Sequence, residues 1–144
     1  MRISTNASDA ELLAIVQVWI DVLAAGDYER FFGEFGYALA RGRGANGIRE
    51  DIEGYRSEAL YPGVTQFRVT PPISARGGNP EPLALVRRYA RSESLPIVAT
   101  IEVHLPLNGR WSDLEADFVV TAEDALDISG ILSLEDICCP APTP

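Results

Sequence analysis

The second half of the chain contains two runs in which apolar and polar residues alternate, joined by a strong turn signal. From Ile97 to Leu105 the odd-numbered positions are apolar, whereas Glu102 and His104 fall on even-numbered positions. A period of two predicts a β-strand that buries one face. The run from Leu114 to Val120 alternates in the same way, and Asn108-Gly109 between the runs favours a two-residue hairpin turn. The sequence therefore predicts a long antiparallel hairpin whose apolar face must be covered.

Three further segments complete the predicted sheet. Gln66–Thr70 alternates between two turns that contain proline, which predicts a short strand. Residues 83–91 fit either a helix or a strand, and we favour the strand because a turn and another strand follow directly. The last strand comes after Glu123 and contains Gly130, where we expect a bulge or a bend. Its inward side chains are predicted to be Leu126, Ile128, Leu132 and Leu134.

The first third of the chain has the spacing of helices. Residues 8–25 place apolar side chains at steps of three and four, which predicts an amphipathic helix. Ser8 and Glu11 form a predicted capping box at its start, and Gly26 permits a left-handed backbone at its end. Asp27 is expected to cap a second helix, with Tyr28, Phe31, Phe32 and Phe35 facing inward. After a loop at 41–47, a third helix carries Ile48, Ile52 and Tyr55, so three helices are expected before any strand.

This order of elements predicts an α+β fold. Three N-terminal helices are expected to pack on one face of a bent antiparallel sheet of four to five strands. The chain has 144 residues, of which 47% are hydrophobic, and this is enough for one domain with its own core. We assign residues 1–137 to a single α+β cone domain. Residues 138–144 are rich in proline and are expected to form a C-terminal tail outside the core.

The order of elements and four short segments resemble the nuclear transport factor 2-like, or cystatin-like, superfamily. The segments are Ala24–Phe31, Gly47–Ile52, Asn108–Leu114 and Leu134–Ile137, and the last two are similar to segments of uncharacterised bacterial members. The resemblance implies a cone between the helices and the sheet. The superfamily includes dehydratases, isomerases, small-ligand binders, association domains and toxin-immunity proteins, so the resemblance alone does not select a function.

Acidic residues are concentrated at the C-terminal end of the sequence. The chain has a formal net charge of −9, and residues 102–144 contain nine acidic residues but only one basic residue, Arg110. Negative charge disfavours binding to nucleic acid or to an anionic membrane, because both present phosphate groups. The sequence begins without a signal peptide, and no apolar run approaches the ~20 residues that span a bilayer. We expect a cytoplasmic protein that binds neither nucleic acid nor membrane.

Candidate catalytic groups are few. His104 is the only histidine, and strand alternation places it with Glu102 on the face that points away from the cone. Hairpin pairing brings these two residues near Glu115 and Asp117. Such a set either binds a metal or forms a solvated sheet face, and we favour the solvated face because the spacing of a metal motif is lacking.

The two cysteines complete the survey of reactive groups. Cys138 and Cys139 are adjacent, so they cannot build a disulfide framework, and nothing in the sequence places a base beside them. We therefore predict no catalytic residue, no cofactor and no metal. The adjacent thiols themselves receive no predicted role.

The residues that follow the hairpin turn favour a role in protein binding. Trp111 lies between Arg110 and Ser112, and tryptophan and arginine are both enriched among residues that dominate binding energies. Tight packing within the hairpin would account for Trp111 equally well. We predict that Arg110, Trp111, Asp113, Glu115 and Asp117 form an interface with a basic, toxin-like protein. The chain would then be a non-catalytic protein-binding domain, most specifically an immunity or antitoxin-like inhibitor.

The alternative function uses the cone. A small apolar ligand would bind between the helices and the sheet, with Tyr37, Tyr55 or His104 as the polar group. The chain would then be a small-molecule binder or a cofactor-free lyase or isomerase. The absence of an inward-facing pair of histidine or aspartate residues counts against an enzyme and leaves a passive binder open. A homodimer formed by self-association is the third possibility.

Overall fold

The computed structural model describes residues 1–90, 96–123 and 128–139. In chain order the elements are β1 (Arg2–Ser4), α1 (Asp9–Ala24), α2 (Tyr28–Phe35), α3 (Ala45–Glu53), β2 (Ala84–Arg88), β3 (Ile97–Leu107), β4 (Arg110–Ala122) and β5 (Ser129–Cys138). Two short 3-10 helical turns, Ala38–Ala40 and Pro72–Ser74, lie in the connections. The described residues therefore form the predicted α+β fold, with three α-helices and a five-stranded antiparallel sheet.

The strands form one sheet in the order β1-β5-β4-β3-β2. Phe118 of β4 pairs with Ile101 of β3 on one side and with Leu134 of β5 on the other. The alternation predicted for β3 and β4 is confirmed, although a register shift between Ile97 and Ala99 interrupts it at the start of β3. The buried face of β3, β4 and β5 includes Ala99, Ile101, Val103, Leu105, Leu107, Leu114, Ala116, Phe118, Val120, Leu132, Leu134 and Ile137.

The helices cover this buried face. α1 buries Leu12, Val16, Ile20 and Leu23, and its predicted capping box is confirmed. The Asp27 side chain caps α2 by accepting a hydrogen bond from the backbone N–H of Arg30 at 3.1 Å. α3 begins at Ala45, inside the segment predicted as a loop. It does so because Gly44, with a φ of +62°, supplies the turn that starts the helix.

β1 contradicts the expectation that three helices precede any strand. Its three residues, Arg2–Ser4, pair antiparallel with residues 129–131 of β5. A segment of three residues is too short to show a period in the sequence. The strand forms because β5 would otherwise leave the N–H and C=O groups of its edge unpaired at this end.

The prediction of a strand at Gln66–Thr70 is wrong. Only Val69 makes an isolated bridge, to Leu107. The backbone N–H of Thr70 donates to the Pro106 carbonyl, and the N–H of Asn108 donates to the Arg68 carbonyl. The next donor, the N–H of Arg68, bonds the side-chain oxygen of Asn108 at 3.1 Å. Pairing stops there because β3 has reached its hairpin turn.

Gly130 lies in regular register, so the predicted bulge at this residue is wrong. Gly130 pairs with Ile3 of β1 and with Ala122 of β4. A Cβ atom at this position would lie 3.0 Å from the Cγ2 of Thr5 and 3.1 Å from the carbonyl oxygen of Thr121. Glycine is needed here for lack of space and not for a bend.

Other parts of the predicted last strand have different outcomes. Leu132 and Leu134 are buried as predicted, but Ile128 is 66% exposed because it precedes β5, and Leu126 lies outside the described residues. The strand predicted within residues 83–91 is confirmed as β2, although residue 91 is not described. Cys138 is the last residue of β5, and residues 140–144 of the predicted tail are not described. No helix in the described ranges has the length and apolarity needed to cross a membrane.

Candidate functional site

Three carboxylates from neighbouring strands meet across the sheet. Glu102 of β3 pairs in register with Asp117 of β4, which in turn pairs with Asp136 of β5. We call Glu102, Asp117 and Asp136 the acidic row. All three residues are half-buried, and Glu102 and Asp117 alternate with residues of the core, so they point away from the helices. Paired strands are roughly 4.8 Å apart, and like charges directly opposite one another destabilise a sheet.

Asp117, at the centre of the acidic row, has a carboxyl group with a strongly raised pKa. Partial burial raises its pKa to about 8, and Glu115, Glu102 and Asp136 act in the same direction. Its Oδ1 atom is buried and has no hydrogen-bond partner among the residues described. Its Oδ2 atom accepts a weak hydrogen bond from the Cys138 thiol at 3.8 Å. At neutral pH Asp117 therefore holds a proton more often than not.

Three arginines lie near the acidic row, and one of them is within ion-pair distance of a carboxylate of the row in the described residues. The Nε of Arg87, on β2, lies 3.5 Å from the Oε1 of Glu102. In the described parts of the chain, neither Asp117 nor Asp136 forms an ion pair. The only arginine on β3, β4 and β5 is Arg110, which lies next to the hairpin turn. Arg41 and Arg43 line a cavity together with Asp136, so arginines lie near both outer members of the row.

A second row of residues lies beside the acidic row. His104 pairs with Glu115, and Glu115 pairs with Cys138. Ligand atoms of Glu115, Asp117 and Cys138 lie within 4.8 Å of one another, a spacing that a metal ion could bridge. Cysteine binds metals as the thiolate, whereas burial, reinforced by the charge of Asp136, raises the pKa of Cys138 to about 12. The thiol of Cys138 therefore carries its proton in the metal-free protein.

The outer face of the sheet around His104 is not simply solvated, which corrects the sequence-based interpretation. Residues 76–83, which we call the strap, cross this face. The Leu83 N–H donates to the Nδ1 of His104 at 2.8 Å, and the Asn79 amide nitrogen lies 3.1 Å from the same atom. Near the hairpin turn, the N–H of Trp111 donates to the Gly77 carbonyl at 3.1 Å, and the Asn79 N–H donates to the Trp111 carbonyl at 2.9 Å. The strap therefore covers His104 and fixes the backbone of Trp111.

We expect His104 to be neutral at pH 7, with its proton on Nε2, because Nδ1 accepts the Leu83 N–H. Burial lowers the pKa of His104 below its usual value of 6.5, and the opposing charges of Glu115 and Asp113 do not compensate. The unfolded chain takes up the proton first, so this residue makes the protein less stable as the pH falls below 6.5. NMR of the imidazole nitrogens measures both tautomer and pKa. A pKa above 7 would contradict the arrangement.

The structure brings together two of the five residues predicted as a protein interface. Glu115 and Asp117 lie beside each other on the outer face of β4. Arg110 is exposed next to the hairpin turn, with its guanidinium 5.7 Å from the centre of the Tyr61 ring. Trp111 is half-buried and is held by the strap. Asp113 accepts a hydrogen bond from the Tyr55 hydroxyl at 2.5 Å, so it contacts the segment that follows α3.

Asp113 lies in an irregular part of β4. The register shifts between His104 and Pro106 of β3, which leaves residues 112–114 opposite Leu105. Ser112 is fully buried there. Its hydroxyl donates to the Leu105 carbonyl at 2.6 Å and accepts the Leu114 N–H at 3.0 Å. The serine side chain thus satisfies backbone groups that the irregularity would leave unpaired.

The tyrosines that the alternative function requires donate hydrogen bonds to carboxylates. Tyr37 donates to the Oδ2 of Asp51 at 2.6 Å, and Arg43 donates to both carboxylate oxygens of Asp51 at 3.1 Å. Partial burial alone would raise the pKa of Asp51, but the hydrogen bonds from Arg43 and Tyr37 outweigh it and lower that pKa. Burial also raises the pKa of Tyr37 and of Tyr55. Both hydroxyls are therefore protonated and already have acceptors.

The space between the helices and the sheet is packed with aromatic rings. The ring centres of Phe31, Phe35 and Phe118 are 4.8 to 6.2 Å apart, and all three side chains are buried. A second cluster, formed by Tyr55, Tyr61 and Phe67, has ring separations of 5.0 to 5.8 Å. These rings occupy the region in which a ligand of the cone would lie.

Asp136 was missing from the sequence-based site because of an irregularity in β5. If the strand pairing continued in regular register from the Phe118–Leu134 pair, Glu135 would lie opposite Asp117. In the structure Asp136 lies there. The signal was present in the sequence, since the buried residues Leu134 and Ile137 are three positions apart and not two.

Comparisons of the chain with protein-family models, with curated proteins and with solved structures find no match.

Proposed function

We propose that this chain is a non-catalytic protein-binding domain that presents the acidic row to a basic partner protein. In its most specific form, the chain is a member of the nuclear transport factor 2-like superfamily and acts as a cytoplasmic immunity or antitoxin-like inhibitor. The observation that carries the proposal is the pairing of Glu102, Asp117 and Asp136 on neighbouring strands with only one ion pair among the described residues, from Arg87 to Glu102.

The acidic row is costly in the free protein. Asp117 keeps its proton at neutral pH because ionisation would place a further charge between Glu102 and Asp136, and its buried Oδ1 has no hydrogen-bond partner in the described part of the chain. A cationic side chain from a partner would supply a donor to this oxygen and allow Asp117 to ionise. Binding would thus relieve an arrangement that destabilises the free protein. Residues that destabilise a fold in this way are typical of functional sites.

A protein is the partner class that the charges favour. The phosphates of nucleic acids and of anionic lipids would be repelled by a surface of this sign. Arginine and lysine on a folded partner provide positive charges at fixed positions, and complementary charge raises both the association rate and the specificity. Glu115 and the exposed Glu135 lie next to the acidic row and extend the negative surface.

The alternative, a small-molecule binder or a cofactor-free lyase or isomerase, has less support. Phe31, Phe35 and Phe118 fill the region between helices and sheet. The hydroxyls of Tyr37 and Tyr55 already donate to Asp51 and Asp113. Cavities of about 430 and 420 Å³ adjoin Tyr37 and Tyr55 and are where a ligand would bind in this alternative.

The test compares three versions of the tagged full-length chain in extracts of its native cell. These are the wild type, the acidic-row variant Glu102→Gln/Asp117→Asn/Asp136→Asn, and a control variant, Asp21→Asn/Glu29→Gln/Glu34→Gln. The control removes the same number of charges from exposed positions on α1 and α2. We expect a stoichiometric basic protein with the wild type and the control. The acidic-row variant should bind that protein at least about tenfold more weakly, which corresponds to about 1.4 kcal/mol.

A proton-release measurement then tests whether the partner contacts Asp117 itself. Since Asp117 is mostly protonated in the free protein at pH 7, a cation placed beside it should release about one proton on binding. Calorimetry of the purified complex in buffers of different ionisation enthalpy measures this number. Equal binding by all three versions, or the lack of any stoichiometric partner of the wild type, would overturn the proposal.

A further inference from the structure

A groove at the surface lies away from the acidic row, between the end of α3 and residues 65–68. Its volume is about 630 Å³, within the roughly 300–1,000 Å³ of typical small-molecule sites. None of its lining residues belongs to the acidic row or to the strap. The groove is lined by Glu53, Arg56, Thr65, Gln66, Phe67, Arg68 and Asn108.

One side of this groove holds an arginine whose position is fixed without a carboxylate. The Nη1 of Arg56 donates to the backbone carbonyls of Glu53 at 2.8 Å and of Tyr55 at 2.5 Å. Its guanidinium lies 5.9 Å from the centre of the Phe67 ring, and Phe67 is buried. These contacts orient the guanidinium before any ligand arrives, which lowers the entropic cost of binding.

The contacts of Arg56 leave one edge of its guanidinium available. Only Nη1 is used, so Nε and Nη2 still carry N–H groups without an acceptor in the described ranges of the chain. Two parallel N–H groups on one edge are the arrangement that binds a carboxylate or a phosphate through two hydrogen bonds. The preserved edge therefore has the geometry of an oxyanion receptor.

A second positive charge lines the same groove. Arg68 is exposed, and within the described residues neither Arg68 nor Arg56 forms an ion pair, although Glu53 is also in the lining. Arg2, Arg43, Arg87 and Arg88 form ion pairs with acidic side chains, and the other described arginines form none, but Arg56 and Arg68 are the two that line this groove. In a chain of net charge −9, two arginines that lack acidic partners on one groove indicate an external anion.

We propose that this groove binds an oxyanion, a phosphate or a carboxylate group of a small ligand. Arg56 holds the group through its Nε and Nη2 edge, and Arg68 contributes the second charge. The Asn108 side chain joins Gln66 and Arg68 to the hairpin turn through hydrogen bonds to their backbones at 2.9 and 3.1 Å, so it fixes the far wall. This site is independent of the proposed protein interface, and either proposal can fail without the other.

The test is a titration of the isotopically labelled full chain with inorganic phosphate and, separately, with acetate, at constant ionic strength maintained with chloride. We expect saturable NMR shifts at residues 65–68 and at Asn108 with at least one of the two anions. Arg56→Lys should weaken binding about tenfold, because lysine provides a point charge and no paired N–H edge. Arg68→Gln should weaken it about fivefold. Arg30→Gln, which removes an exposed arginine that lies 5.3 Å from the Trp19 ring, should have no effect.

The outcomes distinguish the source of the oxyanion. Saturation by phosphate alone identifies a phosphoryl ligand, and saturation by acetate alone identifies a carboxylate. Shifts that grow linearly with both anions, or affinities unchanged in Arg68→Gln and Arg56→Lys, would refute the site. The Arg68 side chain is exposed, so its variant tests the proposal even if the Arg56 variant loses its fold.

Discussion

Phe118→Ala should lower the free energy of unfolding by about 3–5 kcal/mol, the usual cost of removing a large aromatic side chain from a core. Phe118 is 1% exposed. Its ring centre lies 6.2 Å from that of Phe31 and 5.5 Å from that of Phe35. The ring therefore joins the centre of the sheet to α2, and the truncated side chain would leave a cavity between the two layers. Urea unfolding, followed by circular dichroism, measures the change.

Val119→Ala is the matched control for this prediction. Val119 is the next residue of β4, half-buried on the opposite face, and its truncation should cost less than about 1 kcal/mol. Equal slopes of the unfolding curves are required for the comparison, since a changed slope reports a changed unfolded or native state. If Val119→Ala costs more than Phe118→Ala, the helices do not cover the face that we assign to the core.

Asp117→Asn should have the opposite sign and stabilise the free protein by about 1–3 kcal/mol at pH 8. This estimate assigns up to about 1 kcal/mol to each of the three neighbouring carboxylates, Glu102, Glu115 and Asp136. The side chain keeps its shape, and only its charge is removed. Urea unfolding of both proteins at several pH values gives the difference in the free energy of unfolding.

The pH dependence of this difference identifies its cause. Burial and the neighbouring charges raise the pKa of Asp117 to about 8 in the folded state, whereas the unfolded value is near 3.9. A group with a raised folded pKa stabilises the fold fully below the unfolded pKa, and that contribution is lost as the pH rises through the folded pKa. The advantage of Asn should therefore be near zero at pH 4 and grow up to about pH 8. Asp21→Asn, an exposed control on α1, should show no such growth.

These two expectations separate the parts of the fold that stabilise it from the part that serves binding. The Phe118 variant should lose stability at every pH, because a cavity does not titrate. The Asp117 variant should gain stability in the free protein and lose affinity for the basic partner. A loss of stability at pH 8 in Asp117→Asn would mean that a group on this face already compensates the charge.

Much of the fold was accessible from local sequence patterns. The capping box of Ser8 and Glu11, the stop at Gly26 and the hairpin turn at Asn108-Gly109 all act through residues close in the chain. Burial of one face forces the period of two in β3 and β4. The three helices, the central strands and the α+β class follow from these local rules.

The exceptions have non-local causes. β1 depends on the free edge of β5, and Gly130 is constrained by Thr5 and Thr121, which lie far away in the sequence. The strap crosses the outer face because its polar groups form hydrogen bonds with His104 and with the backbone of Trp111. The periodicity of a single segment does not reveal which of these distant residues contact one another.

The sequence by itself determined the elements, the buried face and the excess of acidic residues in the last third of the chain. Only the tertiary structure decided which carboxylates meet, because strand register and the irregularity at Glu135 place Asp136, and not its neighbour, beside Asp117. It also decided that Arg56 and Arg68 share a groove. Local patterns report which face of a segment is buried, but charges interact through space, and distance through space is fixed only when the strands and loops have packed.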